Sequence, residues 1–331
     1  MAGAGMTGLS FTRLGDAYFT VVPGRAVWSR SRQRIEFRMA EIELSAAVAN
    51  RFASLDWSDR AADPSAFDAG LIRHYEAGDI VLLRHPPFSV DFEVLNRVSF
   101  PAGRAHQKLT DRFLTYPKLY RREVRQLFRE AFGSDVFLYR RFRREVKRLS
   151  EDLRRFACTI APSYRFLKQG VSWRFTPTGP EGLHVDYFRR PEDLHYFRIF
   201  INVDLQPRVW TVGPPLPELI ARFAEEAGLG EIASAQSNQV CHRLNKRVFD
   251  RINAQPRSAM DRHTVRFAPG DVWLCETRLN SHEIFSGHRL VATDFYVDPA
   301  SMQDPSRRVD AQVEECLRRA AAKDGAMHAV R

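Results

Sequence analysis

The feature that most constrains the fold is a series of short strand patterns in the second half of the chain. The patterns are 171–175, 183–188, 197–203, 208–212, 264–267, 271–276, 281–285 and 289–297. Two helical patterns, 216–227 and 241–253, interrupt the series. Many short strands closely spaced by turns are typical of a sandwich or jelly roll. The expected fold class is therefore mainly β, a jelly roll with flanking helices packed on one sheet.

Changes in the predicted secondary-structure pattern divide the chain into four regions. Residues 1–69 are an N-terminal extension of unclear role, with a strand pattern over 34–39 and a loop at 63–65. Residues 70–164 are a support region that contains the apolar strand 80–83 and a basic amphipathic helix. Residues 165–300 form the predicted jelly roll. Residues 301–331 are a C-terminal helix, which begins at about Arg308, and a tail.

The basic charge of the chain is concentrated in one segment. The net charge is +10, and residues 118–155 contain thirteen Lys and Arg against six Asp and Glu. Apolar residues recur there at steps of three and four, as expected for a helix with one buried stripe; they are Phe142, Val146, Leu149, Leu153 and Phe156. The opposite, basic face is either a solvated surface or a docking surface for an anionic membrane or a nucleic acid.

Several sequence features indicate an intracellular protein. No run of about 18 or more apolar residues occurs, and the first twenty residues lack the basic flank and apolar segment of a secretory signal. The four cysteines are far apart and form no Cys-x-x-Cys pair, so reduced thiols are expected. We therefore expect a cytoplasmic protein, which can also be peripheral to the inner face of the membrane. The oligomeric state is not determined by these patterns.

His184-Val185-Asp186 lies within the predicted strand 183–188. Side chains two residues apart in a strand share a face, so the imidazole and the carboxylate can converge on one ion. Taken alone, the pair equally fits a histidine hydrogen-bonded to a carboxylate. His282 follows ninety-six residues after Asp186. Two histidines and one carboxylate on one face of a metal leave three positions open, as non-haem Fe(II) oxygenases require. We predict these three residues as metal ligands.

Three other histidines are rival ligands. His195 follows Asp193 by two residues, but the pair lies in a predicted loop, where nothing forces both side chains to one face. His288 lies beyond the predicted turn at 286–287. His74 is followed by Glu76, but this pair precedes a glycine turn and lacks a third ligand nearby.

The motif series resembles the iron(II)- and 2-oxoglutarate-dependent oxygenases and, more narrowly, the Kdo hydroxylase family. Kdo is 3-deoxy-D-manno-oct-2-ulosonic acid, an acidic sugar of lipopolysaccharide. The resemblance rests on 183–188, 198–203, 207–213, Ser281-His282 and Ser286-Gly287, and it extends in order over about residues 70–298. It implies a double-stranded β-helix of the cupin-like type, with Fe(II), 2-oxoglutarate and O2 as cofactor and co-substrates. It also implies hydroxylation of a C–H bond coupled to decarboxylation of 2-oxoglutarate.

The resemblance implies an acidic small molecule or sugar, such as lipid-linked Kdo, as the substrate. One alternative is a natural-product tailoring oxygenase that acts on an amino acid or a carrier-bound precursor. Another is oxidation of protein or RNA, although no RNA-binding module is recognisable and no nucleic-acid partner is expected. The alternative outside enzymes is a cupin-like or nucleic-acid-binding protein with a lapsed metal site.

A buried carboxylate of 2-oxoglutarate needs a cation, and arginine can hold it by two parallel bonds. The apolar residues at 197, 199, 201 and 203 leave Arg198 and Asn202 on the other strand face, predicted to be the barrel interior. Arg198 also follows Asp186 by twelve residues, where cupin-like relatives place a base. Arg289, on the last strand, is the rival anchor. We place Arg198 first and leave both open.

Five further residues are candidates for supporting roles. Ser172 and Arg174, on the strand before the metal motif, are candidate substrate residues, and Arg208 is a candidate partner for an acidic substrate. Glu276 and Asn280 are candidates to orient the ring of His282. Separately, Trp210 and Trp273 are expected in the core, because large aromatic side chains in strands usually pack.

Overall fold

The structure, a computed structural model, describes residues 40–98, 109–111, 122, 126, 129–175, 181–188, 194–232 and 236–328. The strands are β1 (Glu41–Glu43), β2 (Phe52–Asp56), β3 (Ile80–Arg84), β4 (Leu109–Thr110), β5 (Phe166–Arg174), β6 (Glu181–His184), β7 (His195–Phe197), β8 (Ile199–Asn202), β9 (Arg208–Pro215), β10 (His263–Phe267), β11 (Val272–Leu274), β12 (Asn280–Ser286) and β13 (Leu290–Val297). The α-helices are α1 (Pro64–Glu76), α2 (Phe92–Asn96), α3 (Val136–Ile160), α4 (Leu216–Phe223), α5 (Ser237–Arg243), α6 (Asp250–Asn253) and α7 (Val309–His328). The predicted strand over 34–39 and much of 118–128 lie outside the described residues.

The strands form two sheets. One has the order β1-β10-β9-β12-β6, and the other has the order β2-β3-β11-β8-β13-β5-β4, with β7 also paired to β13. Neighbouring strands are antiparallel except β2 and β3, which are parallel. The predicted class, mainly β with flanking helices, is confirmed. The larger sheet also contains β2 and β3, which precede the predicted jelly roll in the chain.

One hydrophobic core lies between the sheets. Phe200 of β8 and Trp273 of β11 meet Trp210 of β9 there, and their rings contact one another. The neighbours of Phe200 in the chain, Ile199 and Ile201, belong instead to the core on the helical side of the sheet. Successive side chains of a strand point to opposite faces, and both faces of this sheet are buried. The expectation that Trp210 and Trp273 pack in the core is therefore confirmed.

Helix α3 covers the outer face of the larger sheet. Its predicted apolar stripe is buried in the core on that side, as expected from the spacing of three and four. The helix begins after Asp135, whose side chain accepts a hydrogen bond from the backbone N–H of Leu138. A third core contains α4–α7 and the side chains of Leu183 and Val185. Helices therefore pack in two places and not on one sheet alone.

Local predictions fail at three positions. The residues predicted as a loop at 63–65 begin α1: Asp63 caps the helix through the Ala66 N–H, and Pro64 occupies the first turn, where no N–H is needed. Helix α1 thus continues across the predicted boundary at residues 69 and 70. The predicted strand 197–203 is interrupted at Arg198, and the predicted strand 183–188 ends at His184. The predicted C-terminal helix is confirmed as α7.

No described helix has the length and apolar character needed to span a membrane.

Candidate metal centre

The pairing of β6 with β12 brings two histidines together. His184 lies directly opposite His282 in the antiparallel register, and their ring centroids are 4.5 Å apart. Opposite residues of an antiparallel pair project from the same face of the sheet. The ring of Trp210, on the next strand, stacks on His282 with a centroid distance of 5.0 Å and an interplanar angle of 22°. The sheet register therefore places both imidazoles on one wall.

Each imidazole has its Nδ1 atom engaged by the backbone. Nδ1 of His184 lies 2.7 Å from the Gly182 carbonyl oxygen, and Nδ1 of His282 lies 3.0 Å from the Asn280 carbonyl oxygen. A carbonyl oxygen can only accept, so both Nδ1 atoms are donors. In the neutral imidazole this leaves the lone pair on Nε2, the tautomer that binds a metal through Nε2.

Asp186 completes the group from just beyond the end of β6. Its Oδ1 lies 3.5 Å from Nε2 of His184. Its Oδ2 accepts hydrogen bonds of 2.6 Å from Nη1 of Arg198 and 2.6 Å from Oγ1 of Thr277. The Thr277 carbonyl also accepts the Asp186 backbone N–H at 3.1 Å. The carboxylate is thus held by tertiary contacts, and not by the pleat of a continuous strand as predicted.

One atom from each of His184, Asp186 and His282 lies within 4.8 Å of the others, and no other such group occurs in the part of the chain that the structure describes. Burial and then the nearby His184 lower the pKa of His282 to about 4, which keeps this imidazole neutral. Burial opposes ionisation of Asp186, but the contact with His184 and the charge of Arg198 hold its pKa well below the usual value, and the same contact raises the pKa of His184. A neutral imidazole and an ionised carboxylate are the forms that bind a divalent metal.

A cleft with about 480 Å³ of empty space, part of it open to solvent, adjoins this group. Three of the predicted site residues outside the metal group, Ser172, Arg174 and Arg198, belong to its wall. The other lining residues are Glu181, Phe200, Trp210, Thr277, Ile284, Leu290 and Ala292, together with the three candidate ligands. Arg174 is paired with Glu181 at 3.0 Å, and the hydroxyl of Ser172 donates to the Ala292 carbonyl at 3.2 Å.

Two predicted co-substrate residues lie outside this wall. Asn202 is fully buried, and its side-chain amide donates to the carbonyls of Gln206 and Phe267 at 2.9 Å each. Arg289 donates to the Val98 carbonyl at 2.9 Å and lies 3.5 Å from Asp204. Both therefore tie loops to the sheet. Asn202 does lie in the interior, as predicted, but its side chain makes structural hydrogen bonds.

Arg208, the third candidate substrate residue, is also outside the wall but differs from Asn202 and Arg289. It is fully buried on β9, and none of its three guanidinium nitrogens has a hydrogen-bond partner among the described residues.

The rival histidines lie elsewhere. His195 is buried with Nε2 3.4 Å from the Tyr164 hydroxyl, and His74 is bonded to Asp79 at 2.8 Å. His288 lies 3.7 Å from Asp204. None of the three is part of the candidate metal group.

The two residues expected to orient His282 behave differently. Asn280 does contact it, through its backbone carbonyl, as described above. Glu276 instead pairs with Arg278 at 2.9 Å, with both side chains only 1% exposed.

Sequence reasoning did not identify Thr277. Its hydroxyl bonds both Asp186 and Arg198, the latter at 3.0 Å. A threonine between Glu276 and Arg278 has no local signal of such a role, because the contact joins residues ninety-one positions apart in the chain.

Comparison with known proteins agrees with this geometry. Residues 161–320 match the model of a family described as 3-deoxy-D-manno-oct-2-ulosonic acid (Kdo) hydroxylase. The chain matches none of the curated proteins with which it was compared.

Solved structures share the fold. The Kdo hydroxylase KdoO, a non-heme Fe(II) alphaketoglutarate-dependent dioxygenase, in complex with cobalt(II), is 14% identical with a TM-score of 0.59. The match covers 81% of this chain and 96% of that one. KdoO in complex with alphaketoglutarate and Fe(III) is 15% identical over the same shares, with a TM-score of 0.56. The predicted double-stranded β-helix of cupin-like type is thereby confirmed. The resemblance to the Kdo hydroxylase family is also confirmed over residues 161–320, the segment that contains all three candidate ligands.

Proposed function

We propose that this chain is an Fe(II)- and 2-oxoglutarate-dependent dioxygenase that hydroxylates a C–H bond of Kdo. The observation that carries this function is the convergence of His184, Asp186 and His282 inside the segment that matches the Kdo hydroxylase family. Two imidazoles and one carboxylate on one side of a site are the ligand set of non-haem Fe(II) oxygenases.

The residues present fit Fe(II). Both histidines have Nδ1 committed to a carbonyl, so Nε2 is available as the ligand atom in each. The second oxygen of Asp186 is held by Arg198 and Thr277, which leaves Oδ1, on the His184 side, for the metal. Fe(II), when bound, would supply the oxidative decarboxylation of 2-oxoglutarate by O2 and the insertion of an oxygen atom into the substrate C–H bond.

The protein's own residues would orient the reactants. Arg198 and Thr277 fix the Asp186 carboxylate and so determine where the open side of the site faces. Trp210, Phe200 and Ile284 form an apolar wall beside the ligands, which limits access of water. Basic side chains on or next to the cleft, such as Arg174 and Arg198, suit the acidic groups of 2-oxoglutarate and of a sugar acid.

The substrate is tested by incubating Fe(II)-loaded protein and 2-oxoglutarate in air with Kdo-bearing lipid A, free Kdo and a panel of amino acids. We expect gain of one oxygen atom on the sugar, read by mass spectrometry, with one succinate formed per product. Oxidation of an amino acid or a carrier-bound precursor alone would favour the tailoring oxygenase. Failure to bind Fe(II) or 2-oxoglutarate would favour the non-enzymatic alternative.

We further propose that the lipid-linked form of Kdo is the substrate and that α3 approaches the cytoplasmic membrane surface. At the start of α3, Phe137 is 80% exposed and Val136 is 44% exposed. Arg140 and Arg144 are exposed and form no ion pair among the described residues. Other basic residues of the helix are paired, as Arg148 is with Glu145 and Asp152. The attraction to an anionic surface would therefore come from few residues, at roughly 1 kcal/mol each.

Sedimentation with vesicles that contain anionic phospholipid, at low and high salt, tests this docking. Arg140→Glu combined with Arg144→Glu should weaken binding at low salt. Arg318→Glu combined with Arg319→Glu makes the same charge change on α7 and serves as the matched control. Equal weakening by both pairs, or no binding by the unmodified protein, would contradict docking through α3.

A further inference from the structure

Tyr75, near the end of α1, holds the backbone at the point where β7 stops and β8 begins. Its hydroxyl accepts the backbone N–H of Arg198 at 3.0 Å and donates to the carbonyl of Tyr196 at 2.6 Å. Tyr75 is fully buried, and burial raises the pKa of its hydroxyl well above the usual value, so the hydroxyl remains a donor. The backbone N–H of Arg198 is thus paired with a side chain of α1 and not with a neighbouring strand.

A second hydroxyl, from Thr293 of β13, spans the same interruption. It accepts the backbone N–H of Ile199 at 2.8 Å and donates to the carbonyl of Phe197 at 3.0 Å, and Thr293 is fully buried. In a regular antiparallel ladder, backbone groups bond to backbone groups of the next strand. Here two side-chain hydroxyls take that role on either side of Arg198 in the chain.

The backbone at Arg198 determines where its guanidinium lies. Nη1 of Arg198 donates to Asp186 at 2.6 Å and to Thr277 at 3.0 Å, and the residue is only 6% exposed. Close-packed interiors transmit displacements, so a shift of this backbone would reach the Asp186 carboxylate. Tyr75 and Thr293 are therefore connected to a candidate metal ligand through one residue.

The connection between α1 and β3 is itself fixed to the strand that carries His282. The side chain of Asn280 donates to the Gly78 carbonyl at 2.9 Å, while its backbone carbonyl lies 3.0 Å from Nδ1 of His282. Gly78 has a φ of +84°, and a Cβ atom there would lie 3.0 Å from Cδ1 of Leu279. This close approach favours glycine. Tyr75, three residues earlier, is thereby held at a fixed position relative to the metal group.

We propose that Tyr75 and Thr293 are positioning residues for the metal centre, because their hydroxyls set the backbone at Arg198 and thereby the direction in which Arg198 holds Asp186. The inference rests on the proposed function for the presence of a metal at this site. Tyr75 lies outside residues 161–320, the segment that matches the family. The support region predicted from the sequence thus shapes the metal site as well as covering the sheet.

The test uses the full chain with Co(II) as the probe, titrated and followed by the visible absorption bands that report the ligand geometry of the ion. Tyr75→Phe keeps the ring and removes only the hydroxyl. It should shift these bands and weaken Co(II) binding by about 10-fold, the lower end of the range for residues that support ligands. Tyr164→Phe is the matched control. It removes another buried tyrosine hydroxyl, which donates to Glu76 at 2.7 Å, and should bind Co(II) normally.

A double-mutant cycle with Arg198→Met separates positioning from a general loosening of the fold. If Tyr75 acts through the Arg198 guanidinium, adding Tyr75→Phe to Arg198→Met will weaken Co(II) binding no further. A merely structural role would lower the melting temperature, as in Tyr164→Phe, and would not shift the absorption bands. Additive losses of affinity in the cycle, or unchanged affinity and bands in Tyr75→Phe, would overturn the inference.

Thr293 supplies a second variant that tests the same backbone if Tyr75→Phe does not fold. Thr293→Val keeps the shape of the side chain and should also weaken Co(II) binding, whereas Thr293→Ser should restore it. Equal binding by the valine variant and the unmodified protein would overturn the inference. An unmodified protein that binds neither Co(II) nor 2-oxoglutarate would contradict the proposed function itself, and the inference with it.

Discussion

In the candidate metal group, the Asp186 carboxylate accepts hydrogen bonds from Arg198 and Thr277, whereas on β9 the fully buried guanidinium of Arg208 has no partner among the described residues. The first arrangement fixes the direction of a ligand atom before any metal arrives. The second leaves donors open at a cost in stability. The comparison indicates that a compensated buried charge fixes the position of its partner, while an uncompensated one keeps its hydrogen-bond donors unused.

The largest expected effect comes from removing the metal ligands. His184→Ala, Asp186→Ala and His282→Ala should each reduce succinate formation from 2-oxoglutarate to the level of a protein-free control, with the fold retained. His288→Ala is the matched control, since His288 was a rival ligand but is half exposed and lies 3.7 Å from Asp204. Full turnover by the His282 variant would remove His282 from the metal site.

Arg198→Met tests whether the hydrogen bond from Arg198 fixes the Asp186 carboxylate. Because Asp186 would lose a 2.6 Å charged hydrogen bond, we expect metal affinity to fall about 10–100-fold. Arg289→Met should leave metal affinity unchanged. If Arg198 also anchors 2-oxoglutarate, as the sequence predicts, the KM for 2-oxoglutarate will rise at saturating metal as well. Unchanged metal affinity with a raised KM would limit Arg198 to anchoring.

His195 tests the stability cost of unpartnered buried groups outside the cleft. Its Nδ1 has no partner in the described structure. Burial lowers its pKa to about 4, opposed by the charge of Glu276 and assisted by the charge of Arg278. In the folded protein the His195 imidazole therefore stays neutral down to about pH 4, whereas in the unfolded protein it gains a proton below pH ~6.5. The contribution of His195 to stability should fall as pH drops from ~6.5 toward 4, by about 2 kcal/mol at pH ~5.

Urea unfolding at neutral pH and at pH ~5 measures this cost. His195→Phe, which fits the contacts with Tyr75 and Tyr164, should lose less stability than the unmodified protein over this range. Parallel losses in both proteins would show that other groups cause the acid sensitivity.

The smallest expected effect is that of Thr277→Val. It removes one neutral donor from Asp186 and leaves Arg198 in place, so we expect metal affinity to fall by about 10-fold, the lower end of the range for residues that support ligands. Thr277→Ser should restore it, because the hydroxyl is kept. Equal loss in the valine and serine variants would attribute the effect to packing instead.

Local periodicity predicted much of the fold. The alternation around Phe200 correctly separates the interior of the sandwich from the helical side, and the spacing of Phe142, Val146 and Leu149 correctly predicts the buried stripe of α3. Both patterns work because burial repeats with the backbone period. The loop predicted at 63–65 was wrong because Asp and Pro favour the first turn of a helix as much as a loop.

The sequence by itself determined the residue types of the metal group and their order. Only the tertiary structure decided how they meet: His184 lies opposite His282 through strand register, and Asp186 is held by Thr277 although β6 has already ended. The tertiary structure also determined the partners of three arginines. Arg198 pairs with a candidate ligand, Arg289 ties down loops and Arg208 stays uncompensated. Their side chains are chemically identical, so the partners that distant segments bring to each one determine its role.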